Sequence, residues 1–151
     1  MKLGMVFPGQ GSQSVGMMAA YGESPVIREV LQEASDALGL DLARLIAEGP
    51  AEELARTVNT QPVMVTAGVA AYRLWRSLGG DEPAFLAGHS LGEYSALVAS
   101  GVLTLQQAAP LVRLRAAAMQ EAVPVGVGAM ATQAYEAGRI DRACAESLRG
   151  M

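Results

Sequence analysis

An α/β fold, with parallel strands flanked by helices, is what this sequence predicts, and three observations carry the prediction. Two short apolar runs, Leu3–Phe7 and Ala84–Ala87, are separated by stretches of helical periodicity. Each run is followed by a glycine-bearing turn, Pro8-Gly9-Gln10-Gly11 and Gly88-His89-Ser90-Leu91-Gly92. The second turn leads straight into another helix-compatible stretch, Glu93–Ser100. Strand, helices, strand, tight turn, helix is a βα-type order, and strands connected in that way lie parallel.

Taken in order, Leu3–Phe7 reads as a buried first strand, and Pro8–Gln13 as a loop dense in residues that permit unusual backbone angles. Pro25–Leu38 reads as a helix, with Ser24 as N-cap, proline at the first helical position and Gly39 as the C-terminal stop. Asp41–Ala47 and Ala51–Val58 read as two shorter helices. Gln61–Leu78 is a longer one, on which Val63, Ala67, Ala70, Ala71, Leu74 and Leu78 form one apolar stripe before Gly79-Gly80. Thr104–Glu121 has an inward face of Leu105, Ala108, Ala109, Val112, Ala116 and Met119, with a kink expected at Pro110. Beyond Val123 the pattern weakens to a connector, Pro124–Gly128, and a further helix over Gly138–Leu148.

Composition excludes several function classes. At 151 residues the chain suffices for one domain with a real core, and 51% of it is hydrophobic. A net charge of −4, with no basic run, gives no support for nucleic acid as a partner. No segment reaches membrane-spanning length without interruption, and no signal-peptide core forms before Pro8-Gly9, so no membrane partner is expected. Cys144 is the single cysteine, which leaves no disulfide and no thiolate zinc site and favours a reducing cytoplasm.

Gly88-His89-Ser90-Leu91-Gly92 fits the G-x-S-x-G pattern of a nucleophile elbow, because the strand–turn–helix context is present. A turn this tight has no room for a Cβ at either flank, hence glycine at both ends. Ser90 then stands at a helix N-terminus, where free N–H groups and the macrodipole favour developing negative charge. A serine hydroxyl also needs a base, usually histidine. The only histidine is His89, which as the nucleophile's neighbour should point away from it and pack, hydrogen-bonded, beneath the turn. The nucleophile is present and its base is not. On the elbow alone, esterase, lipase, protease and transferase all stay open.

A second motif narrows the choice. Taken together, Phe7-Pro8-Gly9-Gln10-Gly11-Ser12-Gln13 and Gly88-His89-Ser90-Leu91-Gly92-Glu93-Tyr94 resemble the malonyl-CoA:acyl carrier protein transacylases, within the larger acyltransferase family. Gly49–Leu54, Thr60-Gln61-Pro62 and Met119–Pro124 support the match, which runs almost continuously from Val6 to Met130. The resemblance implies an α/β hydrolase-like subdomain, covering 1–123 here, and a small ferredoxin-like subdomain of which 124–151 would be the linker and first part. It places the catalytic histidine and most of the small subdomain beyond Met151, so the chain is expected to be the N-terminal portion. Ala131–Glu136, where the family has an apolar strand, does not alternate cleanly.

The resemblance implies transfer of a malonyl group from coenzyme A to the thiol of acyl carrier protein, in fatty acid biosynthesis, through an ester on Ser90. Malonyl-CoA is then a substrate, and no cofactor or metal is implied. Gln10 and Leu91 would supply oxyanion-hole N–H groups, each donor worth about 10²–10³ in rate. Arg115 would pair with the malonyl carboxylate, a task suited to a planar guanidinium. Arg113, two residues away on the same helix, faces elsewhere. Gln61 either lines the same pocket or is an ordinary polar residue near a helix start. The alternatives are an α/β serine hydrolase, which leaves the Gln10 loop and Arg115 unexplained, or an inactive remnant lacking the catalytic histidine. Arg139, Arg142 and Arg149 offer a basic surface for an acidic carrier protein, or simply solvated charge.

Overall fold

In the computed structural model of the protein the described residues are 2–122. Expectations for the connector, the Ala131–Glu136 strand, the helix over Gly138–Leu148, Cys144 and the Arg139, Arg142 and Arg149 cluster therefore lie outside them.

Two parallel strands, β1 (Gly4–Phe7) and β2 (Phe85–Gly88), pair in the register Gly4↔Phe85 to Phe7↔Gly88. Among the described residues six helices accompany them: α1 (Pro25–Leu38), α2 (Leu42–Glu48), α3 (Ala51–Ala55), α4 (Thr57–Ser77), α5 (Gly92–Ala99) and α6 (Leu105–Ala122). The small parallel α/β sheet flanked by helices is the predicted class. A short 3₁₀ turn, Ala19–Tyr21, interrupts the loop after β1.

The helix ends follow their capping chemistry. Ser24 Oγ accepts from the Ile27 N–H at 3.5 Å, and Gly39 closes α1 with φ 60° and ψ 34°, in the left-handed region. The Asp41 carboxylate accepts from Arg44 N–H at 2.9 Å at the start of α2. Thr104 and Gln107 cap α6 reciprocally: Gln107 N–H donates to Thr104 Oγ1 at 3.2 Å, and Thr104 N–H donates to Gln107 Oε1 at 3.0 Å. Thr104→Ala should cost about 1 kcal/mol, read as a lower urea midpoint at unchanged m-value.

α4 is the hub, packing against α1, α3, α5 and α6. Its first half is buried all round, from Asn59 to Thr66, rather than along one stripe. Leu78, expected on that stripe, is 78% exposed, because the helix ends at Ser77 and releases it. The helix expected over Ala51–Val58 instead breaks at Arg56, whose backbone is extended, and α4 starts at Thr57 and runs through Pro62. Side chains supply the reason: the Asn59 amide donates to the Glu53 carbonyl, and the Thr60 hydroxyl reaches the carbonyls of Leu54 and Arg56. Against this hub α6 presents Leu105, Ala108, Ala109, Val112 and Ala116, all fully buried as predicted, with Met119 partly buried. Four alanines at the crossings (Ala34, Ala70, Ala108 and Ala109) let the helix backbones approach closely.

The expectation of a buried first strand holds for one face only. Phe7 is buried, and Met5 and Leu86 on that face are partly covered, whereas Val6 is 79% exposed and Gly4, Phe85 and Ala87 share its open face. Alternation along a strand sends successive side chains to opposite faces, and the helices cover one of them.

Candidate active site

The turn after β2 is held by backbone, not by side chains. His89 N–H donates to the Phe7 carbonyl at 3.0 Å, carrying the strand ladder one residue past β2. Gly92 N–H then donates back to His89 at 2.9 Å, and α5 begins. Between them Ser90 has φ +55°, the one described non-glycine residue with positive φ, a conformation that costs about 1–3 kcal/mol. A Cβ on Gly88 would come within 2.0 Å of the Gly92 carbonyl carbon, and one on Gly92 within 2.4 Å of the Phe7 oxygen. The turn therefore needs glycine at both flanks, and it leaves Ser90 exposed at the N-terminus of α5.

His89 does not pack beneath the turn. It is exposed, its ring has no hydrogen-bond partner among the described residues, and it lies against Gly9, where a Cβ would sit 2.7 Å from Nδ1. Alternation explains the correction: one step past β2, His89 falls on the same face as Phe85 and Ala87, the uncovered one.

Arg115 reaches this turn from α6. Its Nη2 donates to Ser90 Oγ at 3.1 Å, and its Nη1 donates to Gln61 Oε1 at 2.6 Å. Gln61, on α4, is 1% exposed, so its amide must be satisfied by protein. The other end of that amide, Nε2, donates to Met119 Sδ at 3.4 Å. Arg115 and Met119 stand one turn apart on α6 and so bracket Gln61 from the same side. No carboxylate pairs with Arg115 among the described residues, so its charge is not neutralised locally. Arg113 faces elsewhere, as the helical spacing requires, and donates to the Leu38 carbonyl at the end of α1 at 3.2 Å.

The loop after β1 closes the site from the other side. Gln10 Oε1 accepts from the Thr57 hydroxyl at 3.0 Å, which fixes the side chain to the first turn of α4. Leu91 is buried in the core with 1% exposure. The backbone N–H groups of Gln10 and Leu91 enter none of the helix, strand or loop hydrogen bonds among the described residues. Ser90, Arg115 and Gln61 are thus joined by direct hydrogen bonds, and the Gln10 loop abuts the Ser90 turn through Pro8, Gly9 and Gly92.

Two residues of this arrangement escape sequence reasoning, Thr57 and Met119 in its contact with Gln61. The i,i+4 spacing of Thr57 and Gln61 would have linked them, had α4 been started at Thr57. Among the described residues no cluster of His, Cys, Asp or Glu could hold a metal ion, and no helix is long and apolar enough to cross a membrane.

The sequence places the chain among known proteins. Residues 5–151 match the acyl transferase domain. The malonyl CoA-acyl carrier protein transacylase of Escherichia coli K12 is 54% identical over 147 residues, which are 96% of this chain and 48% of the relative. The crystal structure of an acyl-carrier-protein S-malonyltransferase from Burkholderia pseudomallei superposes with a TM-score of 0.81 at 63% identity, over 83% of this chain and 41% of that one. A type II polyketide acyl-carrier protein in complex with its malonyl-transacylase gives 0.80 at 47% identity, over 99% of this chain and 49% of that one. The chain spans about half the length of the relatives it matches, and it belongs to the acyl transferase domain family.

Proposed function

We propose that this chain carries the acyl-binding half of a malonyl-CoA:acyl carrier protein transacylase. The observation that carries the proposal is the chain of hydrogen bonds Gln61–Arg115–Ser90, which sets an unneutralised guanidinium beside an exposed serine. Positive φ at Ser90, glycines without room for a Cβ, and the start of α5 support reading the turn as a hydrolase-like nucleophile elbow. In this reading Ser90 Oγ attacks the thioester carbonyl, the thiol of coenzyme A leaves, and the malonyl ester on Ser90 then passes to the carrier-protein thiol.

The remaining residues take roles suited to that path. Gln10 and Leu91 turn their backbone N–H groups to the tetrahedral oxyanion, and Thr57 keeps the Gln10 loop in place. Arg115 grips the malonyl carboxylate, and Gln61 holds one edge of the guanidinium so that the rest stays presented. The partners are malonyl-CoA and an acyl carrier protein, and the setting is the cytoplasm. The names of the relatives, one of them bound to an acyl-carrier protein, support both partners.

Intact mass after exposure to malonyl-CoA tests the proposal. A malonyl-sized adduct is expected on the wild-type chain and not on Ser90→Ala. No adduct, even with the remaining half of a relative supplied, would overturn the reading.

A further inference from the structure

We infer that Gln13 and Thr57 are positioning residues for the oxyanion donor: they clamp the loop after β1 at two successive residues, Gly11 and Gln10, and so hold the Gln10 N–H where negative charge develops. The inference rests on Gln10 as an oxyanion donor to a Ser90 ester, proposed above, and adds what keeps that donor in register.

Geometry supplies the argument. Residues 8–13 lie in no helix or strand, so other contacts must fix them. Gly11 turns the chain at φ +129°, a conformation open mainly to glycine. Its N–H donates to Gln13 Oε1 at 2.9 Å, so a side chain two residues on closes the turn. One residue earlier, Gln10 Oε1 accepts from the Thr57 hydroxyl at 3.0 Å. Gly9 in turn sits against His89, where a Cβ would lie 2.7 Å from Nδ1. Three successive residues are thus held, each by a different neighbour. The Gln10 N–H lies within that stretch and enters no bond among the described residues, while the Gly11 N–H is taken by Gln13 and cannot compete for the oxyanion.

The anchor at Thr57 is rigid. It stands in the first turn of α4, which Asn59 and Thr60 pin to α3 through the carbonyls of Glu53 and Leu54. Gln61, one turn further along α4, holds the Arg115 guanidinium. One helix turn therefore sets the Gln10 loop and Arg115 at a fixed separation. Losing an oxyanion donor costs about 10²–10³ in rate, and misplacing a reacting group by about 1 Å can cost about 10²-fold. The oxyanion exists only at the tetrahedral stage, so the cost falls on the maximum rate and not on donor binding.

Acylation of the 151-residue chain by malonyl-CoA, followed by intact mass at rising donor concentration, gives a maximum rate and a half-saturating concentration. Gln13→Met and Thr57→Val should each lower the maximum rate about 10–100-fold, while half-saturation stays within about twofold. Thr57→Ser keeps the hydroxyl and should restore the rate to within about threefold of wild type. In a Gln10→Ala background, which keeps the N–H and removes the tethered amide, Thr57→Val should add no further loss. A Gln13→Met or Thr57→Val chain that melts like wild type and keeps its maximum rate overturns the proposal, as does a loss confined to half-saturation. If Gln13→Met melts early, the Gln10→Ala background decides alone: a Thr57→Val loss that persists there overturns the proposal. Label absent from wild type, or retained in Ser90→Ala, would instead remove Ser90 as the nucleophile and the inference with it.

Discussion

Gly88→Ala is expected to destabilise the fold by about 3 kcal/mol or more, because the added methyl meets backbone that cannot move aside. Its Cβ would lie 2.0 Å from the Gly92 carbonyl carbon, 2.1 Å from that carbonyl's oxygen and 2.2 Å from the Glu93 nitrogen. Those atoms form the first turn of α5, whose other side is fixed by Gly92 against the Phe7 and Pro8 carbonyls. Relief would require β1, β2 and α5 to separate, which breaks the His89–Phe7 and Gly92–His89 hydrogen bonds together. Gly79→Ala provides the contrast: φ is +83° there, yet nothing lies within 4 Å, so only backbone strain of about 1 kcal/mol applies. Urea melts of the two variants should differ by about 2 kcal/mol or more. A Gly88→Ala midpoint matching that of Gly79→Ala would show that the turn is far more compliant than its packing implies.

Much of this was legible from residue types, and the reasons are local. Ser24 announces a helix start through its own side chain, and Gly39 announces an end because glycine takes positive φ without strain. The helix bearing Arg115 was legible because its buried positions recur at helical spacing on a single side. What failed depended on neighbours far away in sequence. A helix boundary at Arg56 rather than Gln61 follows from Asn59 and Thr60 bonding back to α3, contacts that no local propensity records. The exposure of Val6 and of His89 follows from which sheet face the helices cover, and apolar character alone does not say which. At the candidate site, the elbow motif pointed to Ser90 and the family resemblance to Arg115, separately. Their direct hydrogen bond, and the Gln61–Met119 support behind it, come from α4 and α6 crossing beside the turn.

Arg115→Gln should expose the duty proposed for that residue, through donors that differ only in a carboxylate. With malonyl-CoA, the variant loses the partner of the carboxylate. Removing one member of a desolvated, hydrogen-bonded charge pair costs about 2–5 kcal/mol, or about 30- to 4,000-fold in rate. With acetyl-CoA there is no carboxylate to hold, so the variant should lose nothing of that kind. The rate of Ser90 acylation should therefore fall more steeply for malonyl than for acetyl, and the ratio of the two losses measures carboxylate recognition alone. Gln61→Leu gives an intermediate result, because it frees one edge of a guanidinium that keeps its charge. Equal losses for both donors would overturn the carboxylate role of Arg115.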